Sequence, residues 1–206
     1  MIYQIITGDF INSVAFSKEL RESIVEILEE VAVTFGSKYE YFIRGDGIQI
    51  LSNKNALREA IYLQSLLHAK LNVGIRLAIG IGSIEVLDER LSNSTGEAFQ
   101  LSGQRLDEMK KLQKQLSVVT PNKWLNCEWE IHTQTLDYLS ASRTRNQSEV
   151  VVGLLENKTQ TKLAEEIGIS QPSVNQRIKS SGWELIEPII LRYGESITYL
   201  ETYFAS

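Results

Sequence analysis

Two aspartates lie where a folded chain could use them together. Asp9 follows an apolar, β-rich run at residues 2–7, and Asp46 lies in a Gly-Asp-Gly turn between the apolar runs 39–43 and 48–51. Because the end of a strand and the tip of an adjacent hairpin lie side by side in a sheet, both carboxylates could face one cation. Mg²⁺ in nucleotide sites is typically held by one or two carboxylates together with phosphates. The pair therefore indicates a site for Mg²⁺ or Mn²⁺, and the alternative is that both aspartates are turn and cap residues.

The backbone around these aspartates favours an anionic ligand. Gly45 and Gly47 have no side chains and would let a ligand approach the main chain closely. Asn12 or Ser13 is a suitable N-cap for the helix that follows the first strand. Backbone N–H groups from Ile11 to Ser13 would then point at a triphosphate.

The elements that must position these residues follow the order of a ferredoxin-like sheet. Apolar runs and amphipathic segments alternate as β-α-β-β-α-β and are followed by a further α-β pair. In that plan, split βαβ units form an antiparallel sheet with the helices on one face. We therefore predict the α+β class for the first part of the chain. The predicted strands are at 2–7, 39–43, 48–51, 73–82 and 116–120, and the second and third helices are at 55–71 and 96–112.

The chain changes character after Pro121. Apart from a possible short strand at 128–131, the remainder is predicted to be helical. We therefore expect two domains, an α+β domain at 1–122 and an all-α domain at 123–206.

Residues 147–180 of the second domain have the pattern of a helix-turn-helix. Gly168 suits the turn because glycine tolerates a positive φ. Ser170 suits the N-cap of the second helix of the motif, and Pro172 fits its first turn.

The second helix of this motif carries polar side chains suited to DNA. Asn and Gln can hydrogen-bond adenine edges, and Arg can contact guanine or phosphate. Because one such motif binds weakly, we expect a homodimer paired through the last helix or the sheet. A helical hairpin used only for protein contacts is the alternative. The expected DNA-binding residues are Thr159, Gln160, Lys162, Gln171, Ser173, Asn175, Gln176 and Arg177.

The composition is that of a globular protein whose charge is unevenly distributed. A net charge of −5 argues against a protein that coats nucleic acid. Residues 143–179 contain six basic and four acidic residues, and a local basic face suits a site-directed DNA contact. Cys127 is the only cysteine, which excludes an internal disulfide and favours a reducing compartment. Without a secretory signal or an apolar run of about 20 residues, we expect a cytoplasmic protein with no membrane span.

Three segments resemble class III nucleotidyl cyclases and diguanylate cyclases. They are YFIRGDGIQ at 41–49, RLAIGIG at 76–82 and GEAFQLSGQRL at 96–106. They resemble, in that order, the metal hairpin, the strand after the second helix, and the glycine that precedes the catalytic helix. The resemblance covers about residues 1–116, and together with the predicted helix-turn-helix the whole chain resembles bacterial SatD-type proteins.

This resemblance implies a nucleotide-cyclase palm domain that binds a nucleoside triphosphate with Mg²⁺ or Mn²⁺. The implied metal ligands are Asp9, Phe10 and Asp46, and in an active enzyme the two aspartates would be catalytic. The implied nucleotide-binding residues are Phe10, Ile11, Asn12, Ser13, Gly45, Gly47, Gln100, Gln104 and Lys110.

The departures from the cyclase pattern bear on activity. Where class III cyclases have an asparagine and, four residues later, a transition-state arginine, this chain has Gln100 and Gln104. Arg105 would point about 100° away around the helix. Phe42 occupies the position of the adenine-reading lysine. An arginine that stabilises phosphate charge contributes strongly to phosphoryl transfer, so its absence argues against ordinary cyclase activity.

Three functions therefore remain open. The first is a DNA-binding regulator whose palm domain senses a nucleotide or a metal. The second is a nucleotidyltransferase that makes a cyclic or oligomeric nucleotide, in which Lys110 or Lys111 would supply phosphate-binding charge. The third is a noncatalytic scaffold that leaves both sites empty.

Overall fold

The computed structural model describes residues 2–41 and 47–205. Within these ranges the elements alternate in the predicted order up to the fifth strand, and only helices follow. The strands are β1 (Tyr3–Phe10), β2 (Lys38–Tyr41), β3 (Gly47–Ser52), β4 (Ile75–Gly82) and β5 (Leu116–Val119). The helices are α1 (Lys18–Phe35), α2 (Ala56–Leu71), α3 (Glu97–Leu112), α4 (Lys123–Ala141), α5 (Arg145–Leu155), α6 (Gln160–Ile167), α7 (Gln171–Ser180) and α8 (Trp183–Ala205).

The sheet is mixed, with the order β2-β3-β1-β4-β5. β1 lies at its centre and pairs antiparallel with β3 and with β4, whereas β5 pairs parallel with β4. The prediction of a wholly antiparallel sheet was therefore wrong at β5. The reason is that α3 connects β4 to β5 as a crossover, which brings the chain back in the same direction.

The helices cover both faces of the sheet. On β1, Ile6 and Phe10 belong to the main core with α1 and α2. The alternate residues face α3: Ile5 packs with Ala98 and Phe99, and Thr7 is hydrogen-bonded to a serine of α3. The prediction of helices on one face only was wrong, because a strand that is apolar on both sides requires cover on both sides.

A glycine in β4 sets the distance between α3 and the sheet. A Cβ atom at Gly80 would lie 2.2 Å from the carbonyl oxygen of Ala98 and 2.7 Å from the backbone nitrogen of Ser102. Any larger residue at this position must therefore push the backbone of α3 away from β1 and β4.

The C-terminal helices share the main core of the sheet. Trp129 of α4 and Tyr193 of α8 are both fully buried, with ring centroids 5.3 Å apart. The Tyr193 hydroxyl donates a 2.9 Å hydrogen bond to Gln4 Oε1 on β1. One continuous apolar cluster thus joins the sheet to α4, α5 and α8.

Residues 128–131, predicted as a possible strand, lie inside α4. Leu125, Trp129, Thr133 and Leu136 are buried at helical spacing, which places one face of the helix in the core. None of the helices in the described part of the chain is long and apolar enough to cross a membrane.

We expect Gly80→Ala to destabilise the fold by about 1–3 kcal/mol, because the added methyl group overpacks the contact with α3. Gly103→Ala is the matched control, since a Cβ atom at Gly103 meets nothing within 4 Å and alanine favours the helix. Urea unfolding should show a loss of stability for the first variant and none for the second. Equal effects of the two variants would contradict the proposed contact.

Candidate functional site

Asp9 lies at the end of β1, on the face that α3 covers. Its side chain is only 7% exposed. One carboxylate oxygen, Oδ2, is 3.4 Å from Arg76 Nη1 and 3.3 Å from Lys110 Nζ. We call these three residues the Asp9 cluster.

Three different elements bring the cluster together. Arg76 is the cross-strand partner of Asp9 in β4, so the antiparallel register sets their proximity. Lys110 lies in the last turn of α3, and the packing of α3 on β1 delivers it to the same carboxylate. Lys110 was predicted to supply phosphate-binding charge, whereas no role was predicted for Arg76, the first residue of the RLAIGIG segment. Arg76 could have been identified only from the register of β1 and β4, which the sequence does not specify.

The second oxygen of the Asp9 carboxylate differs from the first, because no described residue contacts it through a hydrogen bond. Oδ1 is buried and forms no hydrogen bond with the described residues. A buried carboxylate oxygen left unsatisfied is costly, and a bound ion would provide the missing partner. Two cations against one carboxylate also leave the cluster with a net positive charge, which suits an anionic ligand.

The predicted second metal ligand lies outside the described residues. Asp46 and Gly45 both fall in the range 42–46. Their neighbour Gly47 begins β3, and its Cα is paired with that of Asp9. Within the described part of the chain, no three His, Cys, Asp or Glu side chains are grouped so that they could hold a metal ion.

The segment after Asp9 differs from the expected phosphate-binding helix start. α1 begins only at Lys18, and its N-cap is Ser17, whose hydroxyl accepts from the backbone N–H of Leu20. Asn12 is left-handed, with φ of 59°, and makes no capping hydrogen bond through its side chain. The prediction that Asn12 or Ser13 caps this helix was therefore wrong.

The backbone groups of this segment are also partly committed. The Ile11 N–H donates a 2.9 Å hydrogen bond to the Gly74 carbonyl. The prediction that this N–H binds a triphosphate was therefore wrong for Ile11. The Phe10 side chain is buried on the opposite face from Asp9, against Phe16 and Tyr41. Phe10 could therefore bind a metal only through its backbone carbonyl.

The two glutamines of α3 are not linked to the Asp9 cluster by any contact among the described residues. Gln100 is exposed. Gln104 lines a groove of about 470 Å³ between α3 and α4. Arg105 is bound to Ser117, Glu108 and Glu130, and so it joins α3 to β5 and α4.

A second polar surface lies on α6 and α7. The left-handed Gly168 ends α6, and Ser170 caps α7 by accepting a hydrogen bond from the Ser173 N–H. Val150 of α5 packs with Leu163, Ala164 and Val174 in a small separate core. This packing holds the outer sides of α6 and α7 towards solvent.

Most of the residues predicted to contact DNA are exposed. Arg177 differs, because it is half-buried and lies 3.7 Å from Glu149 of α5. It was expected to point outward. The exposed residues of the set are Thr159, Gln160, Lys162, Gln171, Asn175 and Gln176, whereas Ser173 is half-buried.

Several basic residues of the predicted basic face make contacts inside the protein. Lys158 forms ion pairs with Glu156 and Glu166. Arg145 donates to the carbonyls of Ala69 and Lys70 at the end of α2. Arg145 and Lys158 are therefore less available to a partner than a count of basic residues in 143–179 suggests.

Neither a protein-family model nor a curated protein matches the chain. Among solved structures, it is similar to a bacterial light-regulated adenylyl cyclase, with 17% identity and a TM-score of 0.42, over 57% of this chain and 74% of that one. It is also similar to the active GGEEF domain of a diguanylate cyclase from Vibrio cholerae, with 14% identity and a TM-score of 0.40, over 60% of this chain and 85% of that one. A third similar structure is the guanylate cyclase domain from Catenaria anguillulae in complex with GTP, with 13% identity and a TM-score of 0.36, over 50% of this chain and 70% of that one. At these identities and TM-scores, the similarities carry no inference about residues or activity.

We expect Asp9→Asn to change the free energy of unfolding by less than about 1 kcal/mol. Both ion pairs are long, Lys110 is 45% exposed, and the unpartnered oxygen carries a desolvation cost that offsets them. Glu130→Gln is the comparison, because Glu130 binds Arg105 and Lys114 together; we expect it to cost about 1–2 kcal/mol. Urea unfolding at pH 7 measures both. A larger loss for Asp9→Asn would mean that the carboxylate serves mainly to hold the fold.

Proposed function

We propose that this protein binds a nucleoside triphosphate with a divalent cation at the Asp9 cluster. The observation that carries the proposal is the buried Asp9 carboxylate, with one oxygen held between two cations and the other without a partner in the described ranges 2–41 and 47–205. An isolated structural ion pair would not require the second cation or leave the second oxygen unsatisfied. The charges and the orphaned oxygen together suit a ligand that brings both phosphate and metal.

Each residue of the cluster has a defined task in this proposal. Lys110 is partly exposed at the end of α3 and can move from Asp9 to a phosphate oxygen. Arg76 is 24% exposed and can hold the orientation of Asp9 while it contacts a second phosphate oxygen. Asp9 would offer its unpartnered oxygen to the cation, and Asp46, which immediately precedes Gly47 in the sequence, would be the second carboxylate.

The donor set fits Mg²⁺ or Mn²⁺. These ions take carboxylate and phosphate oxygens, and Asp9 has one such oxygen available in a position sheltered from water. A bound divalent ion would neutralise phosphate charge and so assist departure of pyrophosphate. The chain's own contribution would be to orient the phosphates and to exclude water from Asp9.

Nucleotidyl transfer is the reaction that this site would support, and sensing of a bound nucleotide is the alternative. Gln104 cannot provide the charge of a transition-state arginine, and Arg105 is committed to other residues. Catalysis would therefore depend on Lys110 and Arg76 for charge stabilisation.

We expect ATP, GTP, CTP or UTP to bind in the presence of Mn²⁺ or Mg²⁺, as measured by isothermal titration calorimetry. Asp9→Ala, Asp46→Ala and Lys110→Ala should each weaken binding by about tenfold or more, since each removes a charge-assisted contact. Lys111→Ala is the matched control, because it removes the same charge from the next residue of α3.

Failure of all four nucleotides to bind, or an equal loss in Lys111→Ala, would refute the proposed site. Release of pyrophosphate then separates the two uses of the site. Turnover that disappears in Asp46→Ala supports the enzyme, and binding without turnover supports a sensor.

We propose, as a second function, that α6 and α7 form a helix-turn-helix that binds DNA. The observation that favours it is the row of uncharged polar side chains that α7 presents to solvent: Gln171, Asn175 and Gln176. Amide side chains of this kind can pair with adenine edges in the major groove. The paired basic residues limit nonspecific attraction, so such binding would depend on base contacts and on two copies of the chain. Exposed Leu185 and Leu191 on α8 are candidate contacts between the copies.

We expect Asn175→Ala and Gln176→Ala each to weaken binding to the DNA upstream of the protein's own coding sequence by about 5–100-fold, as single base contacts do. Gln134→Ala is the control, since it removes an exposed amide from α4. Fluorescence anisotropy gives the affinities, and sedimentation equilibrium should show two chains on each duplex. Equal binding by all the variants would exclude α7 as the DNA-reading helix.

A further inference from the structure

A polar pocket lies at the same end of the sheet as the Asp9 cluster but on the opposite face of the sheet, beside β4. Its volume is about 260 Å³. It is bounded by α2, by the connection from α2 to β4, and by the turn between α4 and α5. Ile75 lines it, whereas the next residue, Arg76, reaches Asp9 on the opposite face. The pocket is thus separate from the proposed nucleotide site.

The charged residue of this pocket is Arg143, in the turn between α4 and α5. Its Nη1 donates a 3.1 Å hydrogen bond to Ser65 Oγ. Its Nε is buried and has no partner, and none of the described acidic residues forms an ion pair with it. Burial lowers the pKa of Arg143 to about 10, and it remains a cation at neutral pH.

The free part of the guanidinium is the edge that recognises anions. Nη1 is used by Ser65, and among the described residues neither Nε nor Nη2 has a hydrogen-bond acceptor. Nε and Nη2 lie on one side of the planar group, where two parallel N–H groups match a carboxylate or a phosphate.

The surroundings do not neutralise this charge. α4 ends at Ala141, and its terminal carbonyls supply only about half of one negative charge. Asp137, a half-buried acid near the end of α4, accepts a hydrogen bond from the Gln115 N–H and forms no ion pair with Arg143. His68 adds no negative charge, and burial together with Arg143 and Arg145 lowers its pKa, so it is neutral at pH 7.

The pocket also offers neutral hydrogen-bonding groups close to Arg143. Ser65 and Ser148 are almost fully buried, and Ser148 Oγ is 2.8 Å from His68 Nδ1. Gln64 donates to the carbonyls of Ile75 and Gln115 and so fixes the wall of the pocket. Arg143 is half-buried, and its buried Nε has no acceptor among the described residues. A partly desolvated cation without a counterion is unfavourable, and a perturbed charge of this kind in a polar pocket is a candidate for ligand binding.

We propose that this pocket binds the carboxylate or phosphate group of a small molecule through the Nε–Nη2 edge of Arg143. The volume is below the roughly 300–1,000 Å³ of pockets for drug-sized ligands, so the ligand is smaller than a nucleotide. The ligand supplies the negative charge that the protein does not provide. Arg143 lies in the turn between α4 and α5. The ligand would therefore contact both the sheet, through Ile75, and the start of the C-terminal helices, through Ser148 of α5.

The experiment compares thermal unfolding of the full chain in sodium acetate, sodium phosphate and sodium chloride at equal ionic strength. We expect acetate, phosphate or both to raise Tm above the chloride value by about 2–4 °C at roughly five times the dissociation constant. The two arms distinguish a carboxylate from a phosphate ligand. Arg143→Met should abolish this increment and, in chloride, should be about as stable as the parent protein, because it removes a partly buried charge that has no ion-pair partner among the described residues.

Two controls separate this site from other positive charges. Arg145→Met removes a cation two residues away and should keep the increment. Lys110→Ala weakens the proposed nucleotide site and should also keep it, so failure of one site is distinguishable from failure of the other. The absence of any increment over chloride, its persistence in Arg143→Met, or its loss in Lys110→Ala alone would overturn the proposal.

If Arg143→Met does not fold, a second experiment uses NMR. The arginine Nε–H signal that is present in the parent protein and absent from Arg143→Lys belongs to Arg143. In the parent protein that signal should shift on titration with acetate or phosphate. Unchanged position of the signal, or equal shifts of all the arginine signals, would overturn the proposal as well.

Discussion

The burial of β1 on both faces is the constraint on which the rest of the structure depends. Because β1 lies at the centre of the sheet, its alternate residues must be covered by α1 and α2 on one side and by α3 on the other. Gly80 allows α3 to approach closely enough for that cover. The same packing brings the end of α3, with Lys110, to the end of β1, with Asp9. The candidate site is thus a direct result of how the central strand is enclosed.

Asp9 and Arg143 are two charged residues at this end of the sheet that differ in their surroundings. Among the described residues, Asp9 has two cations beside one carboxylate oxygen and no hydrogen-bond partner at the other. Arg143 is half-buried, forms no ion pair with a described acidic residue, and donates one side-chain hydrogen bond, to Ser65. Desolvation of the Asp9 oxygen and of the Arg143 Nε is costly, so each group becomes more favourable when a ligand supplies the missing partner. A cation with phosphates would complete the first, and a small anion would complete the second.

Three basic residues of the C-terminal helices and their connections form contacts within the protein. Arg145 binds the end of α2, Lys158 binds two glutamates, and Arg177 lies against α5. A count of basic residues along the chain cannot reveal this, because the acceptors are remote in sequence or lie on a neighbouring helix. What α7 leaves exposed is a set of amide side chains, so specificity would come from base contacts and not from charge.

The sequence by itself determined the order of the elements, because the apolar periodicity of each segment is a local property. It also indicated Asp9 at the end of a strand, the turn at Gly168 and the cap at Ser170. Only the tertiary structure decided that β5 is parallel, that α3 covers the second face, and that the N-cap of α1 is Ser17 and not Asn12 or Ser13. Arg76 and Arg143 acquire their importance in the same way, since a partner across a sheet or the lack of one in a buried turn depends on residues far away in the chain. Register, helix side and desolvation are long-range quantities, and no local pattern encodes them.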